Sequence, residues 1–241
     1  MSKPIFHKFD EFCSGLVVNS KELGIVPLRL WTPQIYYLRR IEAGVERVIR
    51  EFLTNKSRQG GVTTVDLAIG DYWMNRHAGT LGAMVSDDGS NLARNRSILT
   101  CFMDHAKEGT HVGCETFGHH NNFELQLDNL SVLSYLIAGK KKKSAESGDL
   151  GQGKGINFLI ATEVSSYADA KQIDKIRDSF ASEHPWRLYL WESTANGFNH
   201  WKDMCDVAER ASTQMFIFLG WWLRPNYRLK RDSNEFKVYW D

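Results

Sequence analysis

The stretch Lys56-Ser57-Arg58-Gln59-Gly60-Gly61-Val62-Thr63-Thr64 brings together two cations, two adjacent glycines and three hydroxyls. That mixture suits a grip on phosphate. A strand-like run at residues 47–54 precedes it, and a helix-like run at residues 63–75 follows. Backbone N–H groups at a helix start point outward, and the positive end of the helix dipole favours a bound anion. The usual phosphate loop reads G-x-x-x-x-G-K-[ST]. Gly61 and Thr63 fit its end, but Val62 stands where the lysine belongs, and Lys56 or Ser57 replaces the first glycine. The charge must then come from the front of the loop, from Lys56 and Arg58.

Two further runs end in polar chemistry. Residues 156–162 (INFLIAT) have the length and apolar character of a buried strand and lead into Glu163. An acidic residue there can orient an attacking water, and the carboxyl end of a strand is where ligands sit in open α/β sheets. Residues 186–191 (WRLYLW) lead into Glu192-Ser193-Thr194-Ala195-Asn196-Gly197, polar groups placed to sense a terminal phosphate. Three strands ending this way would converge on one sheet edge.

In this order, KSRQGGVTT, INFLIATEVSSY (residues 156–167) and ESTANG (residues 192–197) resemble the ATPase domain of the large terminase subunit. That family is the motor that packages DNA in tailed bacteriophages. MVSDDGSNLARNR (residues 84–96) looks like the family's second strand and following helix, and the likeness runs from Trp31-Thr32-Pro33-Gln34 to the C-terminus. The resemblance implies an α/β fold of the P-loop NTPase (ASCE-type) kind. That is a three-layer sandwich with a mostly parallel central sheet and a small N-terminal or lid subdomain. It also implies ATP and Mg²⁺ as ligands, with double-stranded DNA, a portal protein and a small terminase subunit as partners. The assembled form would be a homo-oligomeric ring, a pentamer, working in the cytoplasm of an infected bacterial host.

Carried over residue by residue, the resemblance gives Lys56, with Arg58, contact to the β- and γ-phosphates. Thr63 would ligate Mg²⁺, while Thr64 and the N–H groups of Gly60 and Gly61 cradle the phosphates; Ser57, Gln59 and Val62 complete the loop. Glu163 would be the catalytic glutamate. Many relatives place an Asp immediately before it, and here that position is Thr162. Glu192, Ser193, Thr194, Ala195, Asn196 and Gly197 would couple hydrolysis to motion, and Gln34 resembles the glutamine that reads adenine. Relatives often carry a Gly-Arg-Gly turn whose arginine reaches a neighbouring subunit. Lys154, between Gly153 and Gly155, occupies that place, with Arg94 and Arg96 as alternatives. Lysine cannot make the planar fork contact of arginine.

The elements needed to position these residues are legible. Strand-like runs recur at residues 47–54, 80–86, 111–116, 156–162, 186–191 and 215–220. Helical runs lie at 33–44, 63–75, 90–105, 168–181 and 199–211. Such alternation predicts a mostly parallel sheet covered on both faces. Residues 123–127 and 132–137 read as a hairpin inserted at the sheet edge, 139–155 as a flexible loop containing Lys140–Lys143, and 1–30 as an N-terminal arm or small subdomain. Residues 1–220 are thus expected to form the ATPase core and 221–241 a lid or linker.

Composition sets bounds. A chain of 241 residues, 42% hydrophobic and 24% charged, suits one large soluble α/β domain. A net charge of +1 excludes a global polycation, so any DNA contact must be local. Cys13, Cys101, Cys114 and Cys205 form no CxxC pair, which suits a reducing compartment. His111, Cys114, His119 and His120 lack standard zinc spacing. The longest apolar run, residues 215–223, is too short to span a bilayer. No acidic cluster of the kind that forms the family's C-terminal nuclease is present, so ATPase activity without DNA cleavage is expected. A helicase-like translocase with the same catalytic layout, and a regulator that binds nucleotide with little turnover, stay open as alternatives.

Overall fold

A computed structural model describes residues 6, 8–20, 22–108, 110, 117–138 and 155–224. The elements in chain order begin with α1 (Phe9–Gly15), the hairpin β1 (Val17–Ser20) and β2 (Gly24–Pro27), and α2 (Thr32–Glu46). β3 (Glu51–Lys56), α3 (Val62–Arg76), β4 (Leu81–Ser86) and α4 (Gly89–His105) follow. Next come β5 (Phe117–His120), β6 (Glu124–Leu127) and β7 (Val132–Ile137). The last group is β8 (Phe158–Thr162), α5 (Ala170–Arg177), β9 (Leu188–Ser193), α6 (His200–Arg210) and β10 (Gln214–Leu219).

The main sheet has eight strands in the order β10-β3-β9-β8-β4-β7-β6-β5. β10 through β7 run parallel, and β6 and β5 add antiparallel at the edge. The expected mostly parallel α/β sheet is therefore what forms. Two apolar layers cover it. One packs α1, α2, α3 and α4 against Phe52, Met84, Phe158, Ile160 and Leu190. The other packs α5 and α6 against Leu53, Val85, Leu159, Ala161 and Trp191. Every residue of β8 is buried, as a central parallel strand requires. α3 is buried nearly all round, and Gly70 lets it approach the sheet. A Cβ there would lie 2.9 Å from Ile160 Cδ1.

Several boundaries differ from those read in the sequence, for identifiable reasons. The strand expected from residue 47 starts at Glu51, because α2 continues to Glu46. Arg50 Nη1 donates to the carbonyls of Val45 and Ile49 and closes that turn. β9 reaches Ser193 rather than stopping at Trp191, since Glu192 and Ser193 pair with β3, and Glu192 also pairs with Thr162 of β8. Ladder pairing on both sides outweighs the low strand propensity of a glutamate. α5 is shorter than the expected helix at 168–181, and a 3-10 turn, Val164–Ser166, precedes it. The edge hairpin forms, but β7 pairs in parallel with β4 and so belongs to the main sheet.

The N-terminal segment is no loose arm where described. Phe6, Phe9 and Phe12 pack around Tyr72 of α3. The strand expected at 111–116, the Lys140–Lys143 run, Lys154 and residues 225–241 lie outside the described residues. Among the described residues, no helix is long and apolar enough to cross a membrane.

Candidate active site

β3, β9 and β8 are adjacent, so their carboxyl ends deliver Lys56, Glu192 and Glu163 to one place. Lys56 ends β3 with its side chain only 9% exposed. Its Nζ lies 2.5 Å from Glu192 Oε2 and 3.3 Å from Glu163 Oε1. It also donates to Thr63 Oγ1 at 3.2 Å. The Thr63 hydroxyl in turn donates to Glu192 Oε1 at 2.8 Å. One lysine, one hydroxyl and two carboxylates thus form a closed cluster from three separate stretches of chain.

Electrostatics explains why so much charge is tolerated there. Burial works to lower the Lys56 pKa, but Glu192 and Glu163 outweigh it, and the net shift is upward. Burial raises the Glu192 carboxyl, with Lys56 pulling it back. Deeper still, Asp66 stands well above the usual carboxylate range through burial and the neighbouring Glu192. Tyr37 donates to Asp66 Oδ1 at 2.6 Å.

The loop between β3 and α3 is shaped by two left-handed residues, Gln59 (φ 59) and Gly61 (φ 69). Gly61 permits this conformation without Cβ strain. A Cβ at Gly61 would also come within 2.5 Å of Gln34 Nε2. Gln34 lies beneath the loop, 4% exposed. It donates to Gly61 O at 3.0 Å and accepts from Trp31 N at 2.9 Å. In this arrangement its amide ties the loop to the start of α2.

A cleft of about 170 Å³ opens above the cluster. It is lined by Lys56, Gln59, Gly60, Gly61, Thr63 and Thr64, by Thr162 and Glu163, and by Asn91, Arg94, Asn95 and Ile98 of α4. Of the remaining loop residues, Arg58 is exposed and is not among those lining the cleft; Ser57 donates its N–H to Leu219 O, and Val62 is buried at the start of α3. The three candidate distant cations separate. Arg94 is exposed on the cleft wall. Arg96 donates to Asn122 O at 2.9 Å and lies over the Tyr135 ring, a tie to the edge hairpin. Lys154 falls outside the described residues.

Glu163 is the first residue past β8 and adopts a left-handed backbone (φ 54, ψ 41). For a non-glycine residue this costs on the order of 1–3 kcal/mol and concentrates at functional sites. Its Oε2 accepts from Thr194 Oγ1 at 3.4 Å. Ser193 Oγ donates to Ser165 Oγ at 2.8 Å and accepts from Ser165 N at 3.0 Å. Asn199, which caps α6, donates to Ser165 O at 3.0 Å and to Asn196 O at 3.2 Å. The segment 192–199 is therefore bonded directly to the turn that carries Glu163, while Ala195, Asn196 and Gly197 are exposed.

Sequence reasoning did not single out Ser86, Asn91 or Asn95. Asn95 Nδ2 bonds Ser86 Oγ and Thr162 Oγ1, and Ser86 Oγ lies 3.2 Å from Thr162 Oγ1. The available signal was Ser86 at the end of an apolar strand, with Asn91 and Asn95 one helical turn apart on the next helix.

No known family model matches the chain, and no curated protein matches it. Among solved structures, the large terminase of a thermophilic bacteriophage, in complex with ADP, aligns with a TM-score of 0.55 at 14% identity. The alignment covers 80% of this chain and 44% of that one, so this chain spans less than half the terminase's length. The Phi-28 gp11 DNA packaging motor aligns with a TM-score of 0.43 at 11% identity, over 86% of this chain and 64% of the other. Only the first of these two is close enough to define a common fold. The class of fold is thereby set: a mostly parallel α/β sheet covered by helices on both faces. Within that class, the fold is the one found in a phage large terminase.

Proposed function

We propose that this chain is the ATP-hydrolysing domain of a viral packaging motor, which drives double-stranded DNA into a procapsid. The observation that carries the reading is the meeting of Lys56 Nζ and Glu163 Oε1 at 3.3 Å, beside a glycine loop at a helix start. A cation and a carboxylate brought together at the lining of a cleft, beside a helix start, are groups that in-line phosphoryl transfer to water uses.

On this reading the N–H groups at the start of α3 and the Lys56 ammonium hold the β- and γ-phosphates. Glu163 accepts the proton of a water aligned with the γ-phosphorus. The new phosphorus–oxygen bond forms as the bond to the β–γ bridging oxygen breaks, giving ADP and phosphate. The residues present also fit Mg²⁺, which takes oxygen ligands and few carboxylates. Thr63 Oγ1 would hold it, with the carboxylates of Glu163 and Glu192 nearby. Bound Mg²⁺ would offset charge on the β- and γ-oxygens.

Lys56 is shared between Glu163 and Glu192. An incoming phosphate competes for that lysine and frees Glu163 for water. Loss of phosphate reverses the exchange, and the Thr194–Glu163 and Ser193–Ser165 bonds carry it to α6. The same reading assigns duplex DNA, a portal, a small terminase subunit and further copies in a ring as partners, with the host cytoplasm as the setting. Arg94 is the described cation best placed to assist at the cleft.

Phosphate release from Mg²⁺-ATP, measured with and without duplex DNA, tests the reading. Turnover that duplex DNA raises is expected. A chain that binds no nucleotide and releases no phosphate under either condition overturns it.

A further inference from the structure

P-loop NTPases hold their metal with two protein groups, the hydroxyl of the loop and an acidic residue at the end of the neighbouring catalytic strand. This chain has the hydroxyl, Thr63, but Thr162 where the acid belongs. Thr162 cannot substitute. Its hydroxyl is buried and engaged with Ser86, Asn95 and the Val85 carbonyl.

A carboxylate does occupy the next place along the sheet. Glu192 pairs in register with Thr162 on one side and with Thr54 on the other. In-register residues of parallel strands point to the same face, so Thr54, Glu192, Thr162 and Ser86 make a buried polar row under α3. Glu192 is 0% exposed and belongs to β9, the strand between the loop strand and the Glu163 strand. It accepts the Thr63 proton at 2.8 Å. A hydroxyl has one proton and two lone pairs. With its proton committed to Glu192 and one lone pair accepting from Lys56 at 3.2 Å, the Thr63 oxygen has its second lone pair to offer the cleft, as a cation needs.

We propose that Glu192 is the displaced acidic partner of the metal site, a positioning residue that fixes the Thr63 hydroxyl for a divalent cation from one strand over. The extra methylene of glutamate and the central place of β9 make the reach possible. The inference rests on the ATPase reading and assigns Glu192 a task separate from coupling. It also explains how the chain dispenses with an acid before Glu163.

The test uses the full chain with saturating ADP, titrated with Mn²⁺ while electron paramagnetic resonance reads the free ion. ADP affinity in EDTA is measured in parallel. Glu192→Gln should weaken Mn²⁺ binding in the ADP complex by roughly 10–100-fold, the usual effect of removing a group that orients a ligand. Metal-free ADP affinity should change by much less. Adding Thr162→Asp to Glu192→Gln should recover most of the lost metal affinity by restoring a carboxylate at the usual place. If Glu192→Gln does not fold, Glu192→Asp decides, because it keeps the charge beside Lys56 while withdrawing from Thr63; weaker Mn²⁺ binding is expected. Unchanged Mn²⁺ affinity overturns the proposal. So does an equal loss with and without metal, which would make Glu192 a counter-ion of Lys56 alone. Failure of the wild-type chain to bind ADP in either condition instead sinks the ATPase reading beneath it.

Discussion

Replacing Lys56 with methionine keeps the length of the side chain and deletes its charge. The ammonium lies 2.5 Å from a fully buried carboxylate, Glu192, and 3.3 Å from Glu163. Removing one member of a buried pair leaves the other uncompensated, at a cost of about 3–5 kcal/mol. A domain of 150–250 residues loses about 2–4 °C of Tm per kcal/mol, so Lys56→Met should melt on the order of 6–20 °C lower. Lys56→Met/Glu192→Gln should regain most of that loss, because no buried charge is then orphaned.

The pH dependence gives a second, independent signature. Burial already raises the folded-state pKa of Glu192, and Lys56 offsets part of the rise. Without Lys56 it climbs further. A carboxyl whose folded pKa exceeds its unfolded value, about 4.3, binds more protons folded than unfolded between the two. Its contribution is fully present below the unfolded value and is lost as pH rises through the folded one. Acidic buffer should therefore narrow the gap between Lys56→Met and wild type, and neutral buffer should widen it. The wild-type pair behaves differently, because the folded Lys56 pKa is raised. Its contribution holds below the unfolded lysine value, about 10.4, and is lost only as alkaline pH passes the folded one. Denaturant titrations of both proteins at about pH 5 and about pH 8 measure the change in the gap. A loss under about 1 kcal/mol, the worth of an exposed pair, would refute the argument. An equal loss at both pH values would refute it too.

Three further outcomes follow from the same geometry. Glu163→Gln should retain ADP affinity while turnover falls by roughly 10²–10⁴, the range for a positioned acid or base; ordinary phosphate release would remove Glu163 from the chemistry. Gly61→Ala should lose about 1–2 kcal/mol to left-handed strain alone, and more from its approach to Gln34; a denaturation midpoint matching wild type contradicts the loop geometry. Arg94→Ala should weaken nucleotide binding with stability held within about 0.5 kcal/mol. Arg96→Ala should show the opposite pattern, losing about 1 kcal/mol with its bond to Asn122 O while ADP affinity is kept. A nucleotide-binding isotherm and a melt on each arginine variant separate the two.

The parallel sheet was readable because its strands are apolar on both faces, as in FLIAT of β8, and because strand-like and helical runs alternate. The end of β9 was not. Nothing local in Glu192-Ser193 favours a strand, and only pairing with β3 and β8 carries the ladder through them. The same limit applies to the site. Lys56, Thr63 and Glu163 follow from spacing around a loop and a strand end. The task of Glu192 does not, since it depends on strand order, which places β9 between β3 and β8. The hold of Gln34 on Gly61 is likewise a tertiary contact across 27 positions.

Strand order also sets the charge of the site, and the charge sets how nucleotide must arrive. With Lys56 between Glu163 and Glu192, the cluster carries one cation against two carboxylates. On the proposed reading, a bare triphosphate would meet a floor of like sign and bind weakly, because charges in a cleft of low dielectric repel over several ångströms. A divalent cation brought in with the phosphates reverses that balance, and Arg94 on the cleft wall adds to it. ADP affinity should therefore depend more steeply on divalent metal here than in a phosphate loop whose lysine has no buried carboxylate beside it. Lys56→Met provides the contrast. By removing the cation, it should weaken ADP binding with metal and without it. A wild-type chain that binds ADP equally well in EDTA and in Mg²⁺ would show that the two carboxylates do not face the phosphates.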